Sequence, residues 1–249
     1  DEKAENNDEI SKTEKKEKKK KTYSDIINEK AITDNGLFDV HKIDDKYYYE
    51  INDSLLGRDM LMVTRVVNIS KEIPINRHKM SEQVLSWEKF NNNILLKEIS
   101  YSNYAADSLP IKEAVSNANF EPIIASFKIE ANNKEKNSVL IEVTSLYKND
   151  IKSFGYPQFS RKRNKITGLD SNLSFIESIR SFPMNIEAKH IKTYRSSEAK
   201  NGQISMVLNN SMILLPKEPM KRRYYDERVG WFTTSQTDYG IDNQEAETV

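Results

Sequence analysis

Apolar and polar positions alternate with period two along much of this chain, the spacing that sends successive side chains to opposite faces of a strand. In residues 46–52, Tyr47, Tyr49 and Ile51 share one face while Tyr48 and Glu50 share the other. Residues 37–43 precede them across Asp44-Asp45, a turn-type pair, so the two runs read as a hairpin. Residues 123–131 and 139–146 form the clearest hairpin, around the polar loop 132–137. Phe127, Ile129 and Ala131 align on one face there, and Val139, Ile141 and Val143 align on the partner strand. Residues 84–90 and 94–99 flank Asn91-Asn92-Asn93, and asparagine tolerates the positive φ of a tight turn. Residues 184–194 and 203–215 flank Lys200-Asn201-Gly202, where glycine supplies the positive φ. Residues 60–67 are apolar enough for a strand buried on both faces.

Helical spacing is scarce. Ile111, Ala114, Val115 and Ala118 recur at i, i+3, i+4 and i+7 behind Pro110, with Asp107 or Ser108 as a cap. Residues 23–31 predict a second short helix, ended near Asp34-Asn35-Gly36. Residues 156–170, with four basic side chains, read as a long exposed loop. The pattern predicts an α+β fold, mainly antiparallel β hairpins with one or two short helices. Three parts are expected: a charged tail over 1–22, a small hairpin module over 23–57 and a main, mostly β domain over 58–249. The small module cannot bury its own hairpin and is expected to pack on the main domain.

Composition refines this picture at the N-terminus. Residues 1–22 hold fifteen charged side chains and only Ala4 and Ile10 as apolar ones, which predicts disorder. Seven lysines fall between Lys12 and Lys21. They read as a phosphate or headgroup contact or, the favoured reading, as a solvated tether. Over the whole chain 38 basic residues balance 38 acidic ones, so no global field favours nucleic acid. There is no cysteine, which excludes disulfides and thiolate metal sites. No run approaches the roughly 20 apolar residues of a membrane span. The opening Asp1-Glu2-Lys3 carries no signal-peptide pattern, so the chain is either cytosolic or a mature or trimmed form.

A string near the C-terminal end is the most specific feature. Leu214-Leu215-Pro216-Lys217-Glu218-Pro219-Met220-Lys221-Arg222-Arg223 leads through Asp226-Glu227-Arg228 into Val229-Gly230-Trp231-Phe232. Two prolines three residues apart forbid a helix and stiffen an extended path. The string resembles the signature that precedes the catalytic domain in a family of large secreted bacterial zinc metalloproteases of the His-Glu-x-x-His type. Asn35-Gly36-Leu37-Phe38-Asp39-Val40-His41, Tyr47-Tyr48-Tyr49 and Leu55-Leu56-Gly57-Arg58-Asp59 resemble their small N-terminal module. Asp107-Ser108-Leu109-Pro110, Ser181-Phe182-Pro183-Met184-Asn185 and Thr193-Tyr194 resemble their second module. The resemblance covers about residues 23–240. It implies a non-catalytic N-terminal region, an exported protein on the periplasmic, outer-membrane or secreted side, and zinc held by a catalytic domain outside this chain.

Candidate chemistry within the chain is sparse. His41, His78 and His190 are scattered, with none of the one-turn spacing that a catalytic zinc uses, so no metal ligand and no catalytic residue are assigned. There is no Gly-x-Ser-x-Gly elbow and no glycine cluster to cradle phosphate. Arg161-Lys162-Arg163 beside Phe159 could meet RNA phosphates, but a solvated loop is the better reading, and no nucleic-acid partner is expected. Alternate tyrosines at 47–49 could form a peptide or glycan platform or, preferably, sheet packing. The residues assigned a role are a docking set: Arg222, Arg223 and Arg228 as a polar clamp held by Asp226, with Trp231 and Phe232 as the apolar anchor. Their expected partner is the zinc domain of the same protein, with peptide substrate as a further possibility. The rival readings are a stand-alone surface module that binds a peptide or glycan, and an inhibitory pro-segment.

Overall fold

Turns marked in the sequence by Asp, Asn and Gly carry the backbone through the left-handed region: φ is 51° at Asp44, 53° at Asn91, 49° at Asn137 and 73° at Gly202. The computed structural model describes residues 22–71, 79–221, 226, 228 and 236–240. The expected tail over residues 1–22 lies outside them except for Thr22. Between the turns the chain runs α1 (Tyr23–Ile26), β1 (Ile32–Asp34), β2 (Asp39–Ile43), β3 (Lys46–Asn52), β4 (Asp59–Ile69), β5 (Lys79–Phe90) and β6 (Asn93–Ile99). It continues through β7 (Asn103–Tyr104), α2 (Lys112–Ala118), β8 (Ile123–Asn133), β9 (Ser138–Glu142), α3 (Thr144–Lys148) and α4 (Gln158–Arg163). The last strands are β10 (Ile166–Leu169), β11 (Phe175–Ser181), β12 (Asn185–Ser196), β13 (Gln203–Leu214) and β14 (Thr237–Asp238). The fold is thus mostly antiparallel β with a few short helices.

Twelve strands form one sheet in the order β1-β2-β3-β9-β8-β6-β5-β4-β13-β12-β10, and β11 lies beside β10 on the same edge of β12. The first hairpin joins this sheet through β3, whose Tyr48–Asn52 stretch pairs with β9. The sheet curls until β11 meets the chain just ahead of β2. Leu37 N–H donates to the Phe182 carbonyl at 2.7 Å, the Ser181 hydroxyl donates to the Phe38 carbonyl at 2.7 Å, and Ser181 N–H donates to Asp34 Oδ2 at 3.1 Å. Gly36 lies in this seam. A Cβ there would sit 2.5 Å from Ser181 Oγ and 2.7 Å from Phe182 N, so only glycine lets the two edges approach. The result is a near-barrel.

The inward faces fill it. Trp87 is fully buried, edge-on to Phe38 and Tyr49 at 6.1 Å each and tilted against Phe127 at 5.7 Å. A second apolar cluster gathers Val66, Tyr156, Tyr194, Ile204, Met206 and Leu208 where β4, β12 and β13 run on together. A third covers the outer face, where Tyr23, Ile26 and Ile27 pack against Tyr48, Ala131 and Leu140.

Several boundaries differ from the sequence reading, each for a physical reason. Helix α1 stops at Ile26, although Thr22 and Asp25 form a full capping box, because Ile27 turns extended while packing on the outer face of the sheet. A register shift between Ile129 and Ala131 rotates Ala131 away from Phe127 and Ile129 onto that same outer face. The strand expected over 139–146 ends at Glu142. Thr144 Oγ1 accepts the Tyr47 N–H at 2.9 Å, and α3 then buries Leu146 and Tyr147. The expected exposed loop over 156–170 instead holds α4 and β10, with Tyr156 and Arg161 buried. Strand β4 is covered on one face and only partly on the other, with Arg65 exposed. The described residues contain four short α-helices rather than one or two.

Candidate docking site

The C-terminal part of the sheet delivers the chain to one cleft. Strand β13 ends at Leu214, where Leu215 N–H donates to the Asp59 carbonyl at 3.0 Å and the Arg58 guanidinium donates to the Leu215 carbonyl at 2.8 Å. Strand β14 returns to pair in parallel with β7: Thr237 N–H donates to the Ser102 carbonyl at 2.8 Å and Tyr239 N–H to the Tyr104 carbonyl at 2.9 Å. Asp59 and Asn103, at these two anchoring points, line the same cleft of about 500 Å³ between β5, β6, β7 and α2. The proline-rich string after β13 is therefore fastened at both flanks to the cleft walls.

The cleft is polar at its floor and aromatic at its rim. Asp59, Glu88 and Glu121 bring carboxylates to it. Lys97 bridges Glu88 at 2.5 Å and Glu121 at 3.5 Å, and its bond to Glu88 raises its pKa further above the usual lysine value. The Tyr101 hydroxyl donates to Asp59; burial, then that bond, push its pKa up, so it stays a donor. Helix α2 is oriented by Asn103 Nδ2 donating to Asn119 Oδ1 at 2.6 Å. Tyr101, Tyr104 and Phe120 stand exposed at the rim, Phe120 to 76 %.

Of the docking set assigned from the sequence, Asp226 and Arg228 pair with each other: Arg228 Nε donates to Asp226 Oδ1 at 2.9 Å and its Nη2 to Oδ2 at 2.6 Å. The Arg228 side chain is 87 % exposed, so the pair is a solvated fork rather than a packed one. Arg222, Arg223, Trp231 and Phe232 lie outside the described residues. The structure also brings together polar residues that carried no sequence signal. Buried Glu50 accepts from Tyr23 at 2.7 Å, Asn133 at 2.9 Å and Ser138 at 2.5 Å, and contacts His41 Nε2 at 3.1 Å. Burial alone would raise its pKa, but those four bonds outweigh it and hold the carboxyl at about 2. His41 Nδ1 meets Thr33 Oγ1 at 2.8 Å, so the group fastens α1, β1, β2 and β8 together.

A second buried group spans β12. His190 Nε2 meets Asn210 Oδ1 at 2.5 Å and Asn210 Nδ2 donates to Thr64 Oγ1 at 2.7 Å, which makes Nε2 the protonated nitrogen. Burial, with Lys192 nearby, pushes the His190 pKa down to about 3. Its Nδ1 has no hydrogen-bond partner among the described residues. Lys192 is fully buried and donates to the Asn149 carbonyl, and burial lowers its pKa to about 8. Arg161 forks onto Asp150 at 2.7 and 2.8 Å, donates to the Tyr156 carbonyl at 2.6 Å and stacks on Tyr194 at 4.8 Å. These bonds staple residues 149–161 over the end of the near-barrel. Arg161, read from the sequence as part of a solvated loop, is thus a buried structural clamp.

No group of three or more potential metal ligands occurs among the described residues, and no helix among them is long and apolar enough to cross a membrane. His78 lies outside them. A family model described as a domain of unknown function (DUF5117) matches residues 78–249, and a second, also a domain of unknown function (DUF5118), matches residues 20–69. No curated protein and no solved structure matches the chain.

Proposed function

This chain belongs to the DUF5117 family, with the DUF5118 match ahead of that unit, and from this premise we propose that it is the scaffold and docking region of an exported zinc-dependent metallopeptidase. Peptide-bond hydrolysis would be performed by a His-Glu-x-x-His domain outside these residues. The chain's own task is to present a surface on which that domain seats, with peptide substrate passing nearby. The reading rests on one observation: the string that resembles the metalloprotease junction is anchored at Leu215 and at Thr237, on two walls of one aromatic-rimmed cleft. A junction fixed at both flanks loses less entropy on docking than a free linker.

The rival reading is a stand-alone module that binds a peptide or glycan, favoured by the exposed rings of Tyr101, Tyr104 and Phe120. The test begins with the coding sequence: the docking reading expects it to continue past Val249 into a His-Glu-x-x-His helix. The zinc domain, expressed separately, should then co-elute with this chain in size-exclusion chromatography. A gene that stops without such a helix, or two parts that never associate, would overturn the docking reading in favour of the stand-alone module.

A further inference from the structure

The cleft carries more detail than a docking face requires. Ser86 lines its floor, and its hydroxyl, with no hydrogen bond among the described residues, is left open to the cleft. Around it the carboxylates of Asp59, Glu88 and Glu121 face one lining lysine, Lys112, which is occupied by Asp107 at 3.1 Å. With Lys97 included, the lining carboxylates still outnumber the ammonium groups by three to two. Asp59 is held by Tyr101, while Glu88 and Glu121 share the single Lys97 and keep acceptor oxygens to offer. Above the floor stand the rings of Tyr104 and Phe120.

We infer that this cleft is a recognition pocket for an arginine side chain carried on an extended segment of the partner. A guanidinium is planar, donates five hydrogens and cannot accept, which matches a floor of two carboxylates and one hydroxyl oxygen. Its flat faces stack on aromatic rings, which the rim supplies. An acidic side chain would meet like charge, and a neutral polar one would bring no positive charge to carboxylates that share a single lysine. A lysine would satisfy the charge but neither the fork nor the stack. The inference rests on the docking reading for the identity of the partner but not for the chemistry of the pocket.

The test titrates this chain with acetyl-Gly-Arg-Phe-Arg-Gly-amide and with its lysine and glutamate counterparts, followed by NMR shifts of the Ser86, Tyr104 and Phe120 signals. The arginine peptide should bind about tenfold more tightly than the lysine peptide, and the glutamate peptide should not bind. Binding should weaken as salt rises, because Glu88 and Glu121 are partly exposed. Glu88→Gln with Glu121→Gln should abolish the preference for arginine. Phe120→Ala, at an exposed position, should weaken binding without unfolding the chain. Equal binding of all three peptides, shifts confined to other residues, or a preference that survives the double substitution would overturn the inference. Arginine binding together with no zinc domain downstream would leave the pocket standing and overturn only the metallopeptidase reading. A zinc domain that associates with a chain indifferent to arginine would do the reverse.

Discussion

At the scale of single residues, two buried ionisable groups act on stability in opposite directions. The folded pKa of Glu50 is about 2 against an ordinary 4.5, so its contribution is complete above 4.5 and lost as pH falls through 2. A shift of that size corresponds to roughly 3 kcal/mol. Chemical denaturation between pH 6 and pH 2 should show stability falling with acid in the wild type, and Glu50→Gln should be less stable at pH 6 with a flatter profile. An equally steep acid profile in the variant would assign that loss to other carboxylates. Lys192 costs stability at neutral pH, where Glu50 adds it. Its folded pKa of about 8 lies below the ordinary 10.5, so the unfolded chain binds more protons in that window and stability rises as pH climbs through it. Lys192→Met fills a similar volume without the charge and should raise stability at pH 7 by on the order of 2 kcal/mol, removing the rise between pH 8 and 10. A lower melting temperature for the variant would mean that the bond to the Asn149 carbonyl outweighs the cost of burying the ammonium.

At the scale of elements, the seam between β11 and the lead-in to β2 decides whether the sheet closes. Gly36→Ala places a methyl 2.5 Å from Ser181 Oγ and 2.7 Å from the backbone of Phe182, neither of which can withdraw without breaking a bond across the seam. The expected cost is about 2 kcal/mol, with faster amide exchange at Leu37 than at Trp87. Uniform exchange across both sites would show that the seam opens only with the whole fold. The hairpins on either side of this seam were legible because their signals are local. Asp44, Asn91 and Gly202 sit at the positive-φ positions that their chemistry suits, and the alternation at 47–51 and 127–129 points the right residues inward. The seam was half legible: Asn35-Gly36-Leu37-Phe38 and Ser181-Phe182 stood out as strings, but nothing in either says that they touch across about 145 residues. The bulge at Ala131 and the clamp of Arg161 were illegible for a related reason. A register shift leaves the alternation intact in the sequence, and a run of basic residues looks the same whether one of them is exposed or locked on Asp150 and Tyr194. The cleft was missed altogether, since its wall residues come from three separate stretches that only the sheet order brings together.

At the scale of the whole molecule, the proposed docking role makes predictions about the chain alone and in its assembly. Purified alone, it should retain no stoichiometric zinc after dialysis and should not cleave casein; chelator-sensitive proteolysis would contradict this. The junction gives a sharper expectation. The Asp226 and Arg228 pair is solvent-facing, with Arg228 87 % exposed, so Arg228→Ala should leave the melting temperature of the isolated chain unchanged. In the complete protein the same change should weaken association with the zinc domain, because a guanidinium already oriented by its neighbour loses less entropy when it docks. Trp231 is proposed as the apolar anchor beside it, and truncation of an interface tryptophan costs about 2 kcal/mol or more. Trp231→Ala should therefore raise the dissociation constant of the two separately expressed parts by at least about thirtyfold while sparing the isolated chain. Comparison of both variants in both settings separates docking from packing: losses confined to the two-part assembly support the junction, whereas equal losses in the isolated chain would make the segment part of the core.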